Sequence, residues 1–177
     1  TESTMAHVLL IDDDAVLIPE QVRQAFPAPA HRVEVAGTGA AGLALAAATS
    51  PAPTEDPAHS GRLRLGVGGL AFPYYERTAG WETTGARTDA LRGRRVVTVF
   101  YTARGHRVGY AIVSGAPLPA GGGTLVTRND LTYWLRRVHG AQVITWRQAG
   151  HTCVIAGRRV SPRTLLGLAS AEERQAA

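Results

Sequence analysis

The pattern of apolar and polar positions changes about a third of the way along the chain. In the first fifty residues, apolar runs at 7–11 and 32–36 alternate with segments of helical spacing at 15–26 and 38–49. This order of strand and helix is typical of a β-α-β-α unit. From residue 62 onward, short stretches rich in β-branched and aromatic residues are separated by glycine-containing turns. That second pattern predicts an antiparallel sheet.

Turn and cap signals complete the predicted architecture. Two-residue turn signals separate strands of the second region at Arg104-Gly105, Asn129-Asp130, His139-Gly140 and Ala149-Gly150. Helical pieces at 72–80 and 161–174 frame the sheet, and Ser161 is the N-cap of the second. We therefore predict a mixed α+β fold, in which a β-α-β-α unit at 5–50 precedes an antiparallel sheet with flanking helices at 62–172.

Composition divides the chain at the same place. Residues 51–61 have the proline-rich, polar composition of a linker, residues 1–4 read as a tag or extension, and residues 173–177 as a tail. The first fifty residues carry six acids against two arginines, a net charge of −4, and the remaining residues carry seventeen arginines against eight acids, a net charge of +9. The two regions therefore differ in surface chemistry as well as in pattern.

Charge, cysteine count and hydropathy exclude several classes. All positive charges are arginines, and in the second region they are spread from Arg62 to Arg174, so no nucleic-acid interface is predicted. The single cysteine, Cys153, excludes a disulfide scaffold or a multi-cysteine metal site. The longest apolar run of helical character, at 40–48, is too short to span a membrane. As given, the sequence predicts a soluble, cytoplasmic protein.

The stretch HVLLIDDDAVLIPEQVRQAF at 7–26, with HRVEVAGTGAAGLALAAA at 31–48, resembles the N-terminal half of a response-regulator receiver domain. The resemblance implies a doubly wound parallel sheet. It also implies that Asp12 and Asp13, the first two acids after strand one, help to bind Mg²⁺, and we expect this divalent site to be weak. The alternative is that Asp12, Asp13 and Asp14 are solvated acids at the start of a helix.

The rest of a phosphoryl-transfer site is missing from the sequence. Receiver domains also have a phosphoacceptor Asp at the end of the third strand and a Lys after the fifth, and this sequence contains no Lys. Asp56 lies near the expected distance along the chain, but Pro57 follows it and its surroundings are not those of a buried strand. We therefore expect a receiver half that is not phosphorylated.

Five short motifs follow one another in the second region: FPYYE...GW at 72–81, GARTD at 85–89, VTVFY at 97–101, GYAIVSG at 109–115 and GHTCVI at 150–155. Together they resemble the soluble C-terminal region of certain bacterial membrane-anchored anti-sigma factors. In that family a sigma-binding segment and a transmembrane helix precede this region, and we find neither pattern in the sequence. The relatives of this region would be extracytoplasmic.

Two further groups of residues have both a chemical and a structural interpretation. His151 and Cys153 lie two apart on one face of a predicted strand, so they are either a thiolate–imidazole pair or, as we favour, part of the packed interior. The tryptophans and tyrosines of the second region form either a ligand-stacking surface or, as we favour, a packed core. The aromatic residues in question are Tyr74, Tyr75, Trp81, Tyr101, Tyr110, Tyr133, Trp134 and Trp146.

These observations favour a non-enzymatic bacterial signalling or transcription-regulation protein, with no cofactor apart from the weak Mg²⁺ site at Asp12 and Asp13. Its partners would be proteins: a sigma factor, or a second copy paired through the incomplete receiver sheet, because a sheet that lacks three strands leaves an apolar edge bare. Two alternatives stay open, namely an artificial chimeric or recombined protein with no evolved activity, and a phosphoaccepting receiver.

Overall fold

The computed structural model describes residues 6–11, 31–36, 39–91, 93–118 and 122–171. In these residues the chain is mostly β, with eleven strands and three short helices. The predicted mixed α+β class with a receiver-like β-α-β-α half is therefore wrong. The strands are β1 (Ala6–Ile11), β2 (His31–Ala36), β3 (Arg62–Val67), β4 (Leu70–Pro73), β5 (Glu82–Leu91), β6 (Arg94–Ala103), β7 (His106–Val113), β8 (Thr124–Arg128), β9 (Leu131–Val138), β10 (Ala141–Gln148) and β11 (His151–Arg158). The helices are α1 (Gly39–Leu45), α2 (Glu76–Ala79) and α3 (Pro162–Ala169).

A seven-stranded antiparallel sheet dominates the molecule, in the order β5-β6-β7-β11-β10-β9-β8. Two three-stranded meanders, β5 to β7 and β9 to β11, meet at the β7–β11 pair, and β8 extends the second meander. The predicted turns are present, and both of their residues have positive φ, for example 50° at Arg104 and 76° at Gly105. Such two-residue turns match the twist of the strands that they join.

The first region contributes a two-stranded parallel sheet and one helix to the described residues. Strands β1 and β2 pair in register from Ala6↔His31 to Ile11↔Ala36. The helix predicted at 15–26 lies outside the described residues. Helix α1 is shorter than the predicted helix at 38–49 and ends at Leu45.

Helix α1 contacts β1 and β2, and it also packs on one face of the large sheet. Its Ala41 and Ala44 are buried in one cluster with Ala111 of β7 and Ala156 of β11. A Cβ atom added to Gly109 of β7 would overlap the Ala44 carbonyl oxygen and would lie 2.7 Å from the Ala44 carbonyl carbon. Small side chains on both surfaces thus let the helix approach the large sheet closely.

The opposite face of the sheet is covered by the β3–β4 hairpin and by α3. Phe72 of β4 meets Tyr110 of β7 edge to face, with ring centroids 5.3 Å apart. The buried Tyr75 hydroxyl donates a hydrogen bond of 2.7 Å to the Leu168 carbonyl in α3. The central strands β6, β7 and β11 are therefore buried on both faces, as their continuous apolar runs require.

Residues 51–61, predicted to be a linker, make several backbone hydrogen bonds to the strands around them. Ser50, just before this segment, forms a bridge with Ala86 of β5, and Glu55 forms one with Leu63 of β3. The Asp56 amide donates to the Arg62 carbonyl at 2.7 Å. The division into domains stays a prediction, but this segment is hydrogen-bonded to β3, and Ser50 just before it is bridged to β5.

The two helices that were predicted to frame the sheet differ in how well the sequence predicted them. The segment 72–80 was predicted as one helix, but β4 runs to Pro73 and only Glu76–Ala79 is helical. Helix α3 begins as predicted: the Ser161 hydroxyl caps it by accepting from the Thr164 amide at 3.0 Å. Pro162 occupies the first helical position, where its missing N–H costs nothing.

Candidate functional site

The predicted divalent site lies outside the described residues. Nothing in the structure bears on Asp12, Asp13 or Asp14, so the weak Mg²⁺ site stays a prediction. Within the described part of the chain, no group of three or more His, Cys, Asp or Glu side chains is close enough to hold a metal ion.

Asp56, the residue nearest to the expected phosphoacceptor position, closes a turn. Its Oδ1 atom accepts from the Ala58 amide at 3.0 Å, and its Oδ2 atom lies 2.9 Å from His59 Nδ1. The hydrogen bond from His59, followed by that from Ala58, lowers the pKa of the Asp56 carboxyl below its ordinary value. The Asp56 side chain therefore serves local structure, and it does not lie at the end of a buried parallel strand.

His151 and Cys153 share one face of β11, as predicted, but their surroundings differ. Cys153 is completely buried and pairs across the sheet with Trp146 on one side and Ile112 on the other. His151 is half-buried, and its ring lies close to Gly68 in the turn between β3 and β4. The buried thiol fits the packing interpretation, because a nucleophile must be reached by its substrate.

Most of the aromatic side chains are buried in the core. Tyr110 lies 5.2 Å from Trp146, and Trp146 lies 5.7 Å from Tyr133, measured between ring centroids. These three side chains are completely buried. Trp134 is half-buried, with the Arg147 guanidinium 5.8 Å from its ring centroid. The preferred interpretation, core packing instead of a ligand-stacking surface, agrees with this burial.

Strand β8 is the most exposed strand of the large sheet. It pairs with β9 along one side, and no described strand pairs with its other side. The Leu125 side chain is 60% exposed. Among the described residues it is the one large hydrophobic side chain that is exposed to solvent. The other edge strand, β5, is bridged at Ala86 by Ser50. An exposed edge with an apolar side chain is a surface on which another strand can be added.

The described residues also form two concave surfaces. A groove of about 540 Å³ lies between α2 and α3, with Trp81 and Leu168 in its wall. A smaller cavity of about 210 Å³ lies at the end of the large sheet beside the last turn of α1. We call the second the basic pocket, and its polar lining consists of His106, Arg107, Arg158 and Arg159. The sequence does not predict this pocket, because only the strand register brings Arg107 and Arg158 together.

Comparison with known proteins adds no identification. No family model, curated protein or solved structure matches the chain. Among the described residues, no helix has the length and apolar character needed to cross a membrane.

Proposed function

We propose that the chain is a non-enzymatic regulatory protein of bacterial signalling or transcription that acts by binding another protein along strand β8. The resemblances to receiver and anti-sigma sequences suggest the regulatory context. The observation that carries the binding role is the exposure of Leu125 on an edge strand, where no described strand completes the ladder. Such an edge offers backbone hydrogen bonds and an apolar contact at once.

The motifs that resemble anti-sigma factors contribute buried residues that build the fold, so a partner would contact other residues. Tyr75, Tyr101, Tyr110 and Cys153 are completely buried. The Tyr101 hydroxyl donates to the Pro73 carbonyl at 2.8 Å, so the FPYYE and VTVFY motifs hold each other in place. These buried residues stabilise the fold, and contact with a partner is made by exposed residues.

The partner is a protein with an extended segment, either a bacterial sigma factor or a second copy of this chain. Strand β8 has the sequence TLVTR, in which β-branched residues favour pairing with another strand. In an antiparallel pair of two β8 strands centred on Val126, Leu125 of one copy would face Thr127 of the other.

Sedimentation velocity of the purified chain, alone and mixed with purified bacterial sigma factors, tests this proposal. We expect a complex in one of the two arms at concentrations up to about 100 μM, because a strand-addition interface of one short strand is weak. Leu125→Lys should weaken that complex at least about tenfold, since it places a charge on the edge. The control Arg163→Gln changes the charge by one at an exposed position of α3 and should leave the complex intact.

Two results would overturn the proposal. A complex that survives Leu125→Lys would place the contact elsewhere, for example on the β1–β2 sheet. A chain that stays monomeric in every mixture would favour the alternative of an artificial protein with no evolved activity.

A further inference from the structure

The basic pocket arises from the register of β7 and β11. These strands pair from Thr152↔Val113 to Gly157↔Val108. One residue further along the same register, Arg158 stands opposite Arg107. Both side chains lie on the face that carries α1, because residues two apart in a strand share a face and Ala156 packs there.

Two like charges opposite each other on neighbouring strands destabilise a sheet, so each arginine needs a compensating contact. The Arg107 guanidinium stacks over the Phe100 ring, 4.4 Å from its centroid. Arg158 Nη1 donates to the His139 carbonyl at 3.0 Å. Desolvation by neighbouring atoms lowers the pKa of the Arg107 guanidinium, although the residue as a whole is exposed. Neither contact supplies a negative charge.

Among the residues that the structure describes, the lining of the basic pocket contains no carboxylate. Glu55, Asp56, Glu76 and Asp89 are hydrogen-bonded to groups elsewhere. Asp130 lies in the turn between β8 and β9, at the opposite end of the sheet. Glu82 is the remaining acid whose side chain is described. It pairs with Thr102, which pairs with Arg107, so two strand spacings, about 9 to 10 Å, separate the backbones of Glu82 and Arg107.

The walls leave room for a ligand between the arginines. Gly105, Gly109, Ala44 and Ala156 line the cavity with small side chains, and its volume is about 210 Å³. Arg159, also in the lining, has φ 58°, a left-handed conformation that is unusual for a residue with a side chain.

The geometry points to the basic pocket as a binding site for a phosphate group, held between Arg107 and Arg158 with Arg159 and His106 beside it. Guanidinium groups bind phosphate through parallel N–H···O bonds, and a dianion would supply the negative charge that the described lining lacks. The phosphate could be carried by a small soluble ester or by a lipid headgroup. The site is independent of strand β8 and of the proposed protein partner.

Nuclear magnetic resonance titration of the full chain at low ionic strength tests the site. Inorganic phosphate is the first probe, glycerol 3-phosphate represents soluble esters, and vesicles of phosphatidic acid in phosphatidylcholine represent lipid headgroups. We expect saturable shifts of the Gly105 and Gly109 amides with phosphate. Binding of the second or the third probe at higher affinity than phosphate identifies the source.

Three variants separate this site from other roles of the arginines. Arg107→Gln and Arg158→Gln should each lower the phosphate affinity about tenfold or more, whereas Arg163→Gln should leave it unchanged. If a Gln variant does not fold, Arg158→Lys keeps the charge but loses the forked donor, and it should still weaken binding.

Three outcomes would overturn the inference. One is a phosphate response that is not saturable, and another is equal weakening by Arg163→Gln, which would indicate unspecific counterion binding. The third is unchanged affinity in folded Arg107→Gln and Arg158→Gln proteins. In that case the arginines serve only the C-terminal end of α1, whose carbonyl groups favour nearby positive charge.

Discussion

Replacing Gly109 with alanine tests whether α1 packs on the large sheet. The new methyl group would overlap the Ala44 carbonyl oxygen and would lie 2.9 Å from the Ala44 Cα atom. These atoms belong to the helix backbone and cannot rotate away, so α1 must shift or leave the sheet. Overpacking of this kind costs about 1 to 3 kcal/mol. It outweighs the advantage of about 0.5 to 1 kcal/mol that alanine has over glycine in a strand.

Gly167→Ala is the matched control, because it makes the same chemical change where there is space. Gly167 lies in α3, and no atom comes within 4 Å of a Cβ atom added there. Alanine should stabilise this helix by about 0.8 to 1 kcal/mol. The two substitutions should therefore move the free energy of unfolding in opposite directions.

Urea unfolding followed by circular dichroism measures both effects. Thermal unfolding should agree, with a shift of about 2 to 4 °C for each kcal/mol in a protein of this size. A Gly109→Ala protein that is as stable as the unchanged protein would refute the close packing of α1 on β7. Without that packing, the basic pocket would also lack the wall that Ala44 and Leu45 form.

Three further predictions concern single side chains. Tyr75→Phe should cost about 1 kcal/mol in urea unfolding, because the Leu168 carbonyl loses its buried donor but still accepts from the Ala171 amide; no change in stability would mean that this bond is not formed. Incubation with acetyl phosphate and Mg²⁺ should add no phosphoryl group by intact-mass measurement, whereas a stoichiometric gain abolished by Asp56→Asn would contradict the turn-closing role of Asp56. The lowered pKa of Asp56 means that its contribution to stability is present above its unfolded pKa of about 3.9 and is lost as the pH falls through the folded value. Asp56→Asn should therefore make stability less dependent on pH below about 4, and an unaltered acid profile would argue against the His59 contact.

Local patterns predicted the elements of the second region better than their arrangement. Turn signals such as Arg104-Gly105 act within two residues, and the Ser161 cap acts within three, so the sequence predicts both. The alanine-rich helix was assigned to a receiver-like half because its partner surface, at Gly109 and Ala111, is far away in the sequence. The fold class was wrong because packing between distant small residues leaves no local signature.

The candidate sites show the same difference between local and distant information. The buried positions of Cys153 and Trp146 follow from strand alternation, which the sequence contains. The Arg107 and Arg158 pair depends on which strands are neighbours and in which register, and alternation does not specify either. Leu125 was part of a predicted strand, but only the strand order shows that this strand is an edge.

Sedimentation velocity of the unchanged chain and of Leu125→Lys, each alone and with bacterial sigma factors, tests the central claim most directly. If the chain acts by binding a protein along β8, a complex forms in one arm and is weakened at least about tenfold by Leu125→Lys, while Arg163→Gln leaves it intact. A monomer in every mixture, or a complex that Leu125→Lys does not weaken, would contradict the claim.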